Sequence, residues 1–401
     1  MTKLTRRRFL SISAGGAVLA ALPAHAMPPL FRWHGVALGA EAEIILAHPD
    51  AEAITERARI EIERLEAIFS LYRRDSALVR LNATGHLDAP PFELLECLSL
   101  CGSVHHATGG RFDPTVQPLW ALYAERYAAG GKPGPAEIGH ALALTGWRRL
   151  HLDSARITLD PGMALTLNGI AQGYIADRIT MQLREAGLSN ILVNTGELRA
   201  LGGRPGGGGW PVGIEGGGAR DLVDRALATS APLGTVFDAA GHAGHILDPR
   251  TGLPAPSNWR QISMSATSAA LADALSTAAC LMPDRETIET TLAGCTDRSA
   301  GLTGTTERSS LPRYHARCSS FAVLRRPWLS GRSGLLRRGG EPDQRRDHQR
   351  GERTPRHLPA VERDDDAGKH KQHNEACDDK IDREALLTPE AEHRLLFQEP
   401  P

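Results

Sequence analysis

The chain has 401 residues, 41% of them hydrophobic, so it is long enough to bury a core in one large domain or in two. Its 46 Lys and Arg residues nearly balance its 47 Asp and Glu residues, which gives a formal net charge of -1. Because this balance offers no broad electrostatic attraction for polyanions, we expect no nucleic-acid partner.

The first 26 residues have the composition of an export leader. Arginines at positions 6–8 precede a short run of small apolar residues, and Ala24-His25-Ala26 follows. This order is typical of a twin-arginine signal peptide with an A-x-A cleavage site. The apolar run is shorter than the roughly 20 residues of a membrane-spanning helix. We therefore predict cleavage after Ala26, a periplasmic mature protein and no stable membrane span; an uncleaved anchor is the alternative.

Hydrophobic periodicity predicts a mixture of helices and strands in the central part of the chain. In chain order these are a strand over 37–47, helices over 51–69, 92–107 and 136–144, a hairpin over 150–159, a strand over 164–167, a helix over 171–186, strands over 190–194, 210–215, 226–230 and 261–266, and a helix over 271–281. Strands and helices do not alternate regularly. The fold class predicted is therefore α+β, with mixed sheets and packed helices, rather than a doubly wound sheet.

The composition changes near Ser299. From there to residue 401 the chain is rich in Arg, Ser, Gly and Asp, with little periodicity. Such a segment cannot bury much apolar surface, so we predict a folded domain over 27–298 and a disordered tail over 299–401. A basic arm for nucleic acid is disfavoured because acidic residues offset the arginines. A second interpretation is a frame-shifted reading of a GC-rich gene from about residue 298.

Two polar residues share one face of the last predicted helix. Asp273 and Thr277 are four residues apart, so their side chains lie one above the other. A carboxylate and a hydroxyl suit a hard cation such as Mg²⁺. The alternative is a helix cap followed by a buried Thr that bonds to the preceding turn.

Glycines mark the sharp connection before the helix over 171–186. At Gly169 the backbone can approach an ion closely, and the helix that follows presents its amino terminus to an anion. A tight strand-to-helix connection explains the same glycines without any ligand. Asp177 in this helix has two possible roles, as a ligand-binding acid or as a structural one. His245 lies in a predicted turn, where it is either structural or functional.

Six segments, in this order, resemble the family of FAD:protein FMN transferases, also called the ApbE family. They are SLYRRDSALVRLN, TGGRFDPTVQPL, LNGIAQGYIADRI, LVNTGEL, GHILDPRTGLP and ADALSTA, and the resemblance runs from about Leu38 to about Ala279. It implies an ApbE-like fold and an enzyme that cleaves the diphosphate of FAD, moves FMN onto a Thr or Ser hydroxyl of a partner protein and releases AMP.

The resemblance also implies the site residues. The metal ligands for Mg²⁺ correspond to Asp273, Thr277 and the Gly169 carbonyl, with Ser276 at a position where some members have Asp. Contacts to FAD correspond to Leu38, Tyr72, Arg111, Phe112, Asp113, Thr166, Gln172 and Leu247. His245 matches a recurrent histidine near the diphosphate, so His245 and Asp273 are the expected catalytic residues.

The resemblance leaves the branch and the outcome of the reaction open. The leader together with GIAQG is similar to the NosX-like branch, which implies a NosR-like membrane protein as acceptor. Gln172 stands where many members have Lys, and the Arg-rich tail stands where members have a last strand, so the sheet is expected to lack an edge. An FAD pyrophosphatase, a flavin-binding protein without turnover, or an inactive product are the alternatives.

Overall fold

The computed structural model describes residues 28–215, 218–256, 258–294 and 300–307. The predicted leader and the predicted tail beyond residue 307 lie outside the described residues. Among the described helices, none is long and apolar enough to cross a membrane.

The described residues form twelve strands and eight α-helices. The strands are β1 (Phe31–Ala37), β2 (Ala40–Leu46), β3 (His86–Asp88), β4 (Leu150–Leu152), β5 (Arg156–Leu159), β6 (Ile191–Asn194), β7 (Leu198–Leu201), β8 (Trp210–Ile214), β9 (Gly218–Leu222), β10 (Ala226–Ser230), β11 (Trp259–Ala266) and β12 (Gly301–Glu307). The helices are α1 (Ala51–Phe69), α2 (Ala77–Thr84), α3 (Phe92–Ala107), α4 (Gln117–Ala128), α5 (Pro135–Ala143), α6 (Ala171–Glu185), α7 (Ala269–Ala279) and α8 (Arg285–Ala293). This mixture confirms the predicted α+β class.

A seven-stranded antiparallel sheet forms the centre of the fold. Its spatial order is β1-β2-β6-β7-β10-β11-β12, while β3-β5-β4 and β8-β9 form two smaller sheets. Strands β2, β6, β7, β10 and β11 carry buried apolar residues that face α1, α6 and α7. The main core therefore lies between one face of the large sheet and these three helices.

Helix α6 packs very closely against the beginning of α7. A Cβ atom on Gly173 would lie 2.3 Å from the carbonyl oxygen of Ala269, so only glycine permits this approach. Helix α7 begins at Ser268, whose hydroxyl accepts a hydrogen bond from the Leu271 amide at 3.1 Å. The contact at Gly173 fixes how the polar face of α7 meets the amino-terminal end of α6.

Most predicted elements are confirmed, and the differences have physical reasons. The strand predicted over 37–47 is β2, which begins after a turn at Leu38 (φ 49°) and Gly39 (φ 81°), and this turn pairs it with β1, which was not predicted. The segment 164–167 is not a strand. Its backbone pairs instead with the side-chain amide of Asn82, which bonds both the amide and the carbonyl of Leu165 at 2.8 Å.

The ordered fold continues beyond the predicted boundary at residue 298. Strand β12 pairs with β11, for example through Ile262 and Thr305, and supplies the edge of the large sheet that we expected to be missing. The start of the predicted disordered tail at Ser299 is therefore wrong, because residues 301–307 find hydrogen-bond partners on β11. Helices α2, α4 and α8 and strands β3, β7 and β9 were not predicted as elements, since their short segments carry weak periodicity.

Candidate functional site

Several polar groups meet where α6 begins and α7 passes the end of β10. A Cβ atom on Gly169 would lie 3.1 Å from Thr277 Oγ1 and 3.4 Å from the ring of Phe112. The predicted ligand positions Gly169 and Thr277 are thus brought into contact, although 108 residues of chain separate them. Because Gly169 has no side chain, Thr277 and Phe112 pack directly against its backbone.

Asp273 lies one turn before Thr277 on the same helix and is 4% exposed. One carboxylate oxygen, Oδ2, accepts a hydrogen bond from the Gly173 amide at 3.3 Å, and Oδ1 has no hydrogen-bond partner among the described residues. Burial raises the pKa of this carboxyl to about 7, and the Gly173 amide opposes this rise. The protein environment of Asp273 thus disfavours the charged form of its carboxyl group.

A second carboxylate, Glu197, lies on the turn between β6 and β7, which packs on the start of α6, and it was missed by the sequence prediction. One oxygen accepts a hydrogen bond from the Thr229 amide at 3.2 Å. Burial, followed by the charge of Asp273, raises the pKa of Glu197 well above its usual range. The available signal was its place in LVNTGEL, where an acid directly follows a turn after a predicted strand.

Three hydroxyl groups form a chain beneath these carboxylates. Ser230 Oγ lies 2.6 Å from Ser276 Oγ and 3.3 Å from Thr277 Oγ1. Ser276 is fully buried and also donates to the carbonyl of Asp273 at 2.9 Å. Both interactions lie inside the protein, so Ser276 does not fit the ligand role that the resemblance implies, whereas the Thr277 hydroxyl lies at the edge of Gly169.

Asp177 has the structural role that the sequence left open. Its carboxylate accepts hydrogen bonds from Ser268 Oγ (2.8 Å) and from the amides of Ala269 and Ala270 (2.9 Å each). Arg199 Nε lies 3.2 Å from the same carboxylate. Asp177 therefore caps the amino terminus of α7 from the neighbouring helix, and it is not part of the ligand cluster.

His245 lies in the loop between β10 and β11. Both its backbone amide and its ring nitrogen Nδ1 lie about 3 Å from the carbonyl oxygen of Thr235, at 3.1 and 3.0 Å. We assign the ring proton to Nδ1, since only a donor fits that carbonyl, which leaves the lone pair on Nε2. Burial lowers the pKa of His245, and the Thr235 carbonyl opposes this, so the neutral ring is favoured at pH 7.

The His245 loop is tied to the hydroxyl chain by close backbone packing. A Cβ atom on Gly244 would lie 2.0 Å from the carbonyl oxygen of Pro232, two residues beyond Ser230. This contact requires glycine and holds the loop at the end of β10. The residue before His245 thus packs on the segment that follows Ser230, whose hydroxyl lies 3.3 Å from Thr277 Oγ1.

Arg111 and Arg250 form a cationic pair at this edge. Arg250 pairs with Asp248 through two hydrogen bonds, at 2.9 and 2.6 Å, and these hold the pKa of Asp248 low although burial alone would raise it. Burial, followed by the charge of Arg250, lowers the pKa of Arg111, while Asp248 opposes this. The Nε atom of Arg111 is buried without a hydrogen-bond partner. An anionic ligand would satisfy it.

Two of the residues that were predicted to contact the flavin use their side chains in contacts within the protein. Asp113 accepts hydrogen bonds from the Thr115 amide (2.9 Å) and hydroxyl (2.6 Å) and from the Trp147 amide (3.1 Å), so its carboxylate holds the loop together. The side chain of Leu247 is buried in a second apolar cluster around Phe237. Contacts from Asp113 and Leu247 to FAD would therefore involve their backbone atoms.

The other predicted flavin contacts divide between the cluster and a separate position. Gln172 lies at the start of α6, where its amide group packs against Gly196, and Thr166 is half-buried just before Gly169. Leu38 and Tyr72 lie instead around the carboxyl end of α1. There the Leu38 amide donates to Glu66 at 2.6 Å, and Tyr72 follows the helix in the next turn.

The residues of the cluster fit a hard divalent cation. The Asp273 carboxylate, the Thr277 hydroxyl and the Gly169 carbonyl are all oxygen donors of the type that Mg²⁺ prefers, and Glu197 adds a second carboxylate on the neighbouring turn. No group of three or more His, Cys, Asp and Glu residues suited to a metal occurs in the described part of the chain. A site with few protein ligands is consistent with Mg²⁺, which keeps waters and substrate phosphates as further ligands.

Comparisons of the sequence identify related proteins. Residues 38–295 match the ApbE family. The chain is 27% identical over 256 residues to a protein of Klebsiella pneumoniae named FAD:protein FMN transferase, a region that covers 59% of this chain and 78% of the relative. It is 30% identical over 263 residues to a Treponema pallidum protein of the same name, covering 57% of this chain and 71% of the relative.

Comparisons of the structure agree. The flavinyl transferase ApbE of Pseudomonas stutzeri, solved in its apo form, aligns with a TM-score of 0.60 and 26% identity, over 70% of this chain and 96% of that one. An ApbE protein of Thermotoga maritima aligns with a TM-score of 0.61 and 26% identity, over 70% and 97%. The predicted fold is thus confirmed.

Proposed function

The chain belongs to the ApbE family, and from this premise we propose that it is an Mg²⁺-dependent FAD:protein FMN transferase. The observation that carries the proposal is that Thr277, one turn after Asp273 on α7, packs against the backbone of Gly169 beside Phe112. The names of several relatives support the choice of FAD as the substrate. The remaining points, namely the cation, the acceptor hydroxyl and AMP as the leaving group, belong to the proposal.

The proposed cation is held by the Asp273 carboxylate, the Thr277 hydroxyl and the Gly169 carbonyl. When bound, Mg²⁺ would neutralise negative charge on the diphosphate of FAD, which is the main requirement of phosphoryl-type transfer. Arg111, whose Nε has no partner, and Arg250 beside it supply further positive charge at the same edge. Phe112 places an aromatic ring next to Gly169.

His245 is proposed as the base. The Thr235 carbonyl holds its Nδ1 proton, so Nε2 is available to accept the proton of an acceptor Thr or Ser hydroxyl. The hydroxyl oxygen then bonds to the phosphorus of the FMN half, and the bond between that phosphorus and the bridging oxygen breaks. AMP departs with the bridging oxygen, so FAD and the acceptor give FMN-acceptor and AMP.

The proposed acceptor is an exported or membrane flavoprotein subunit, such as a NosR-like protein, and the proposed compartment is the periplasm. Both points are supported by the twin-arginine pattern in the first 26 residues and by the resemblance of GIAQG to the NosX-like branch. The leader lies outside the described residues, so its role stays a prediction.

Intact-mass spectrometry of an acceptor domain tests the proposal. The full chain is incubated with FAD, Mg²⁺ and a domain that carries the acceptor Thr, and with the same domain in which that Thr is replaced by Ala. We expect the mass of the first domain to rise by one FMN and AMP to appear in equal amount. Free FMN and AMP with no adduct would contradict the transferase and support an FAD pyrophosphatase.

A further inference from the structure

The position of Glu197 is fixed by contacts on two sides. The turn between β6 and β7 packs on the start of α6, where the Thr195 hydroxyl donates to the Gln172 carbonyl at 2.8 Å. At Gly196 (φ 101°), a Cβ atom would lie 2.7 Å from the side-chain amide carbon of Gln172. With the Thr229 amide on one of its oxygens, Glu197 is held between the start of α6, where the Gly173 amide bonds to Asp273, and Ser230, whose hydroxyl lies 2.6 Å from Ser276 and 3.3 Å from Thr277 of α7.

The two carboxylates lack a cation of their own in the described part of the chain. The basic side chain nearest in sequence to Glu197 is that of Arg199, and Arg199 forms an ion pair with Asp177 at 3.2 Å. Asp273 is buried and Glu197 is half-buried, and neighbouring carboxylates repel each other, whereas charges removed from water are normally paired or coordinate a metal. Asp273 is 4% exposed, only its Oδ2 atom accepts a hydrogen bond among the described residues, and Thr277 follows one turn later on the same helix.

We propose that Glu197 is a further residue of the cation site, where it supplies a second negative charge opposite Asp273 and holds a metal-bound water. This inference rests on the proposed function, since the cation is the one that the transferase uses. Glu197 is a positioning residue in this scheme: one oxygen stays on the Thr229 amide and the other is directed to the water. Outer groups of this kind commonly change metal affinity by about 10- to 100-fold.

A purely structural role is the competing explanation. Glu197 would then serve only to accept the hydrogen bond of the Thr229 amide. The substitution Glu197→Gln separates the two roles, because the Gln side-chain oxygen still accepts that bond while the negative charge is lost.

The experiment measures cation binding directly, without flavin or acceptor. Thermal unfolding of the full chain is followed while Mg²⁺, and in a second series Mn²⁺, is titrated into protein stripped with a chelator. A ligand that binds the folded state raises the unfolding temperature, and the concentration dependence gives an apparent Kd. Glu215→Gln, at an exposed ion pair with Arg260, is the charge-matched control.

We expect the cation to stabilise the wild type and the Glu215→Gln variant at the same concentrations. Glu197→Gln should need about 10-fold more cation or higher still. Glu197→Asp retains the charge and should bind more tightly than Glu197→Gln, and this comparison decides the matter if the Gln variant folds poorly. An unchanged apparent Kd in Glu197→Gln, equal binding by the Asp and Gln variants, or a wild type that does not respond to either cation would overturn the inference.

Flavin transfer measured on the same proteins separates the two proposals. If the wild type binds the cation through Glu197 but does not modify an acceptor, the transferase fails and the cation inference holds. If the wild type transfers FMN and Glu197→Gln keeps the wild-type apparent Kd, the inference fails and the transferase holds.

Discussion

Helices α6 and α7 contact each other at two acidic residues, and the two contacts differ sharply. At the first, Asp177 receives three hydrogen bonds and an arginine, so its charge is satisfied by the protein. At the second, Asp273 receives one amide at 3.3 Å and lies beside another carboxylate. The first contact completes the fold, whereas the second leaves a carboxylate whose negative charge a bound cation would stabilise.

The largest expected effect is on activity, at the second contact. Asp273→Asn keeps the shape of the side chain and removes its charge, so the cation should lose its main protein ligand. Because metal ions contribute several kcal/mol to such reactions, we expect FMN transfer to fall by at least about 100-fold. The measurement is the initial rate of acceptor modification at saturating FAD.

The chemical denaturation of Asp273→Asn provides the control for this prediction. Replacing a carboxylate that lies beside Glu197 should leave the free energy of unfolding equal to that of the wild type or higher. A variant that loses activity together with folding would show that Asp273 holds the fold, as Asp177 does.

The next effect is on stability, at the first contact. Asp177→Ala removes the cap of α7 and leaves Arg199 without its carboxylate, so we expect the free energy of unfolding to fall by about 3 kcal/mol. Urea denaturation measures this change. The rate of FMN transfer per folded molecule should stay within a few-fold of the wild type. A loss of activity of 100-fold in folded protein would mean that Asp177 belongs to the site.

The pH dependence of transfer tests His245. Burial lowers its pKa below the ordinary value of about 6.5, so the ring stays neutral at pH 7 and gains a proton only at lower pH. The unfolded chain binds that proton at higher pH than the folded chain, so this group's stabilising contribution is complete above pH 6.5 and is lost as the pH falls. At Mg²⁺ concentrations high enough to keep Asp273 ionised, we expect transfer to be constant from pH 8 to about 6.5 and to decline below.

The matched variant for this profile is His245→Asn, which should remove the decline together with most of the rate. An acid limb that begins well above pH 6.5, with its midpoint near 7.5 for example, would contradict the neutral buried histidine.

The smallest expected effect tests whether Ser276 is a ligand of the cation. Ser276→Ala removes a hydroxyl that bonds to Ser230 and to the Asp273 carbonyl, so we expect a loss of stability of about 1 kcal/mol. Transfer should stay within about three-fold, because this hydroxyl is not among the ligands that fit. Thr277→Ala serves as the comparison and should lower the rate far more. Equal losses for the two variants would restore Ser276 to the site.

Much of this fold could be predicted from local periodicity, and the limits are instructive. The helix over 51–69 was predicted at its observed bounds because its apolar residues recur at three and four. The strand over 164–167 failed because its hydrogen-bond partner is the side chain of Asn82, a contact across 83 residues that no local pattern reports. Strand β12 was missed because its segment, GLTGTTE, lacks apolar alternation and is ordered by β11.

The sequence predicted which residues belong to the site, but it did not predict how they are placed relative to one another. The i, i+4 spacing of Asp273 and Thr277 placed both on one face of a helix, and the resemblance added Gly169. The role of Asp177 depends on α7, which lies about 90 residues later, and the position of Glu197 depends on how the turn between β6 and β7 packs on the start of α6. Both are tertiary facts that a single sequence does not contain.

The most direct test of the central claim is the anomalous diffraction signal of Mn²⁺ in crystals grown with FAD. We expect a peak within about 2.5 Å of an Asp273 carboxylate oxygen, Thr277 Oγ1 and the Gly169 carbonyl oxygen. We also expect the Glu197 carboxylate to lie within hydrogen-bond distance of a water bound to that ion. A peak elsewhere on the protein, with Asp273 still facing Glu197 and no ion between α6 and α7, would contradict the account.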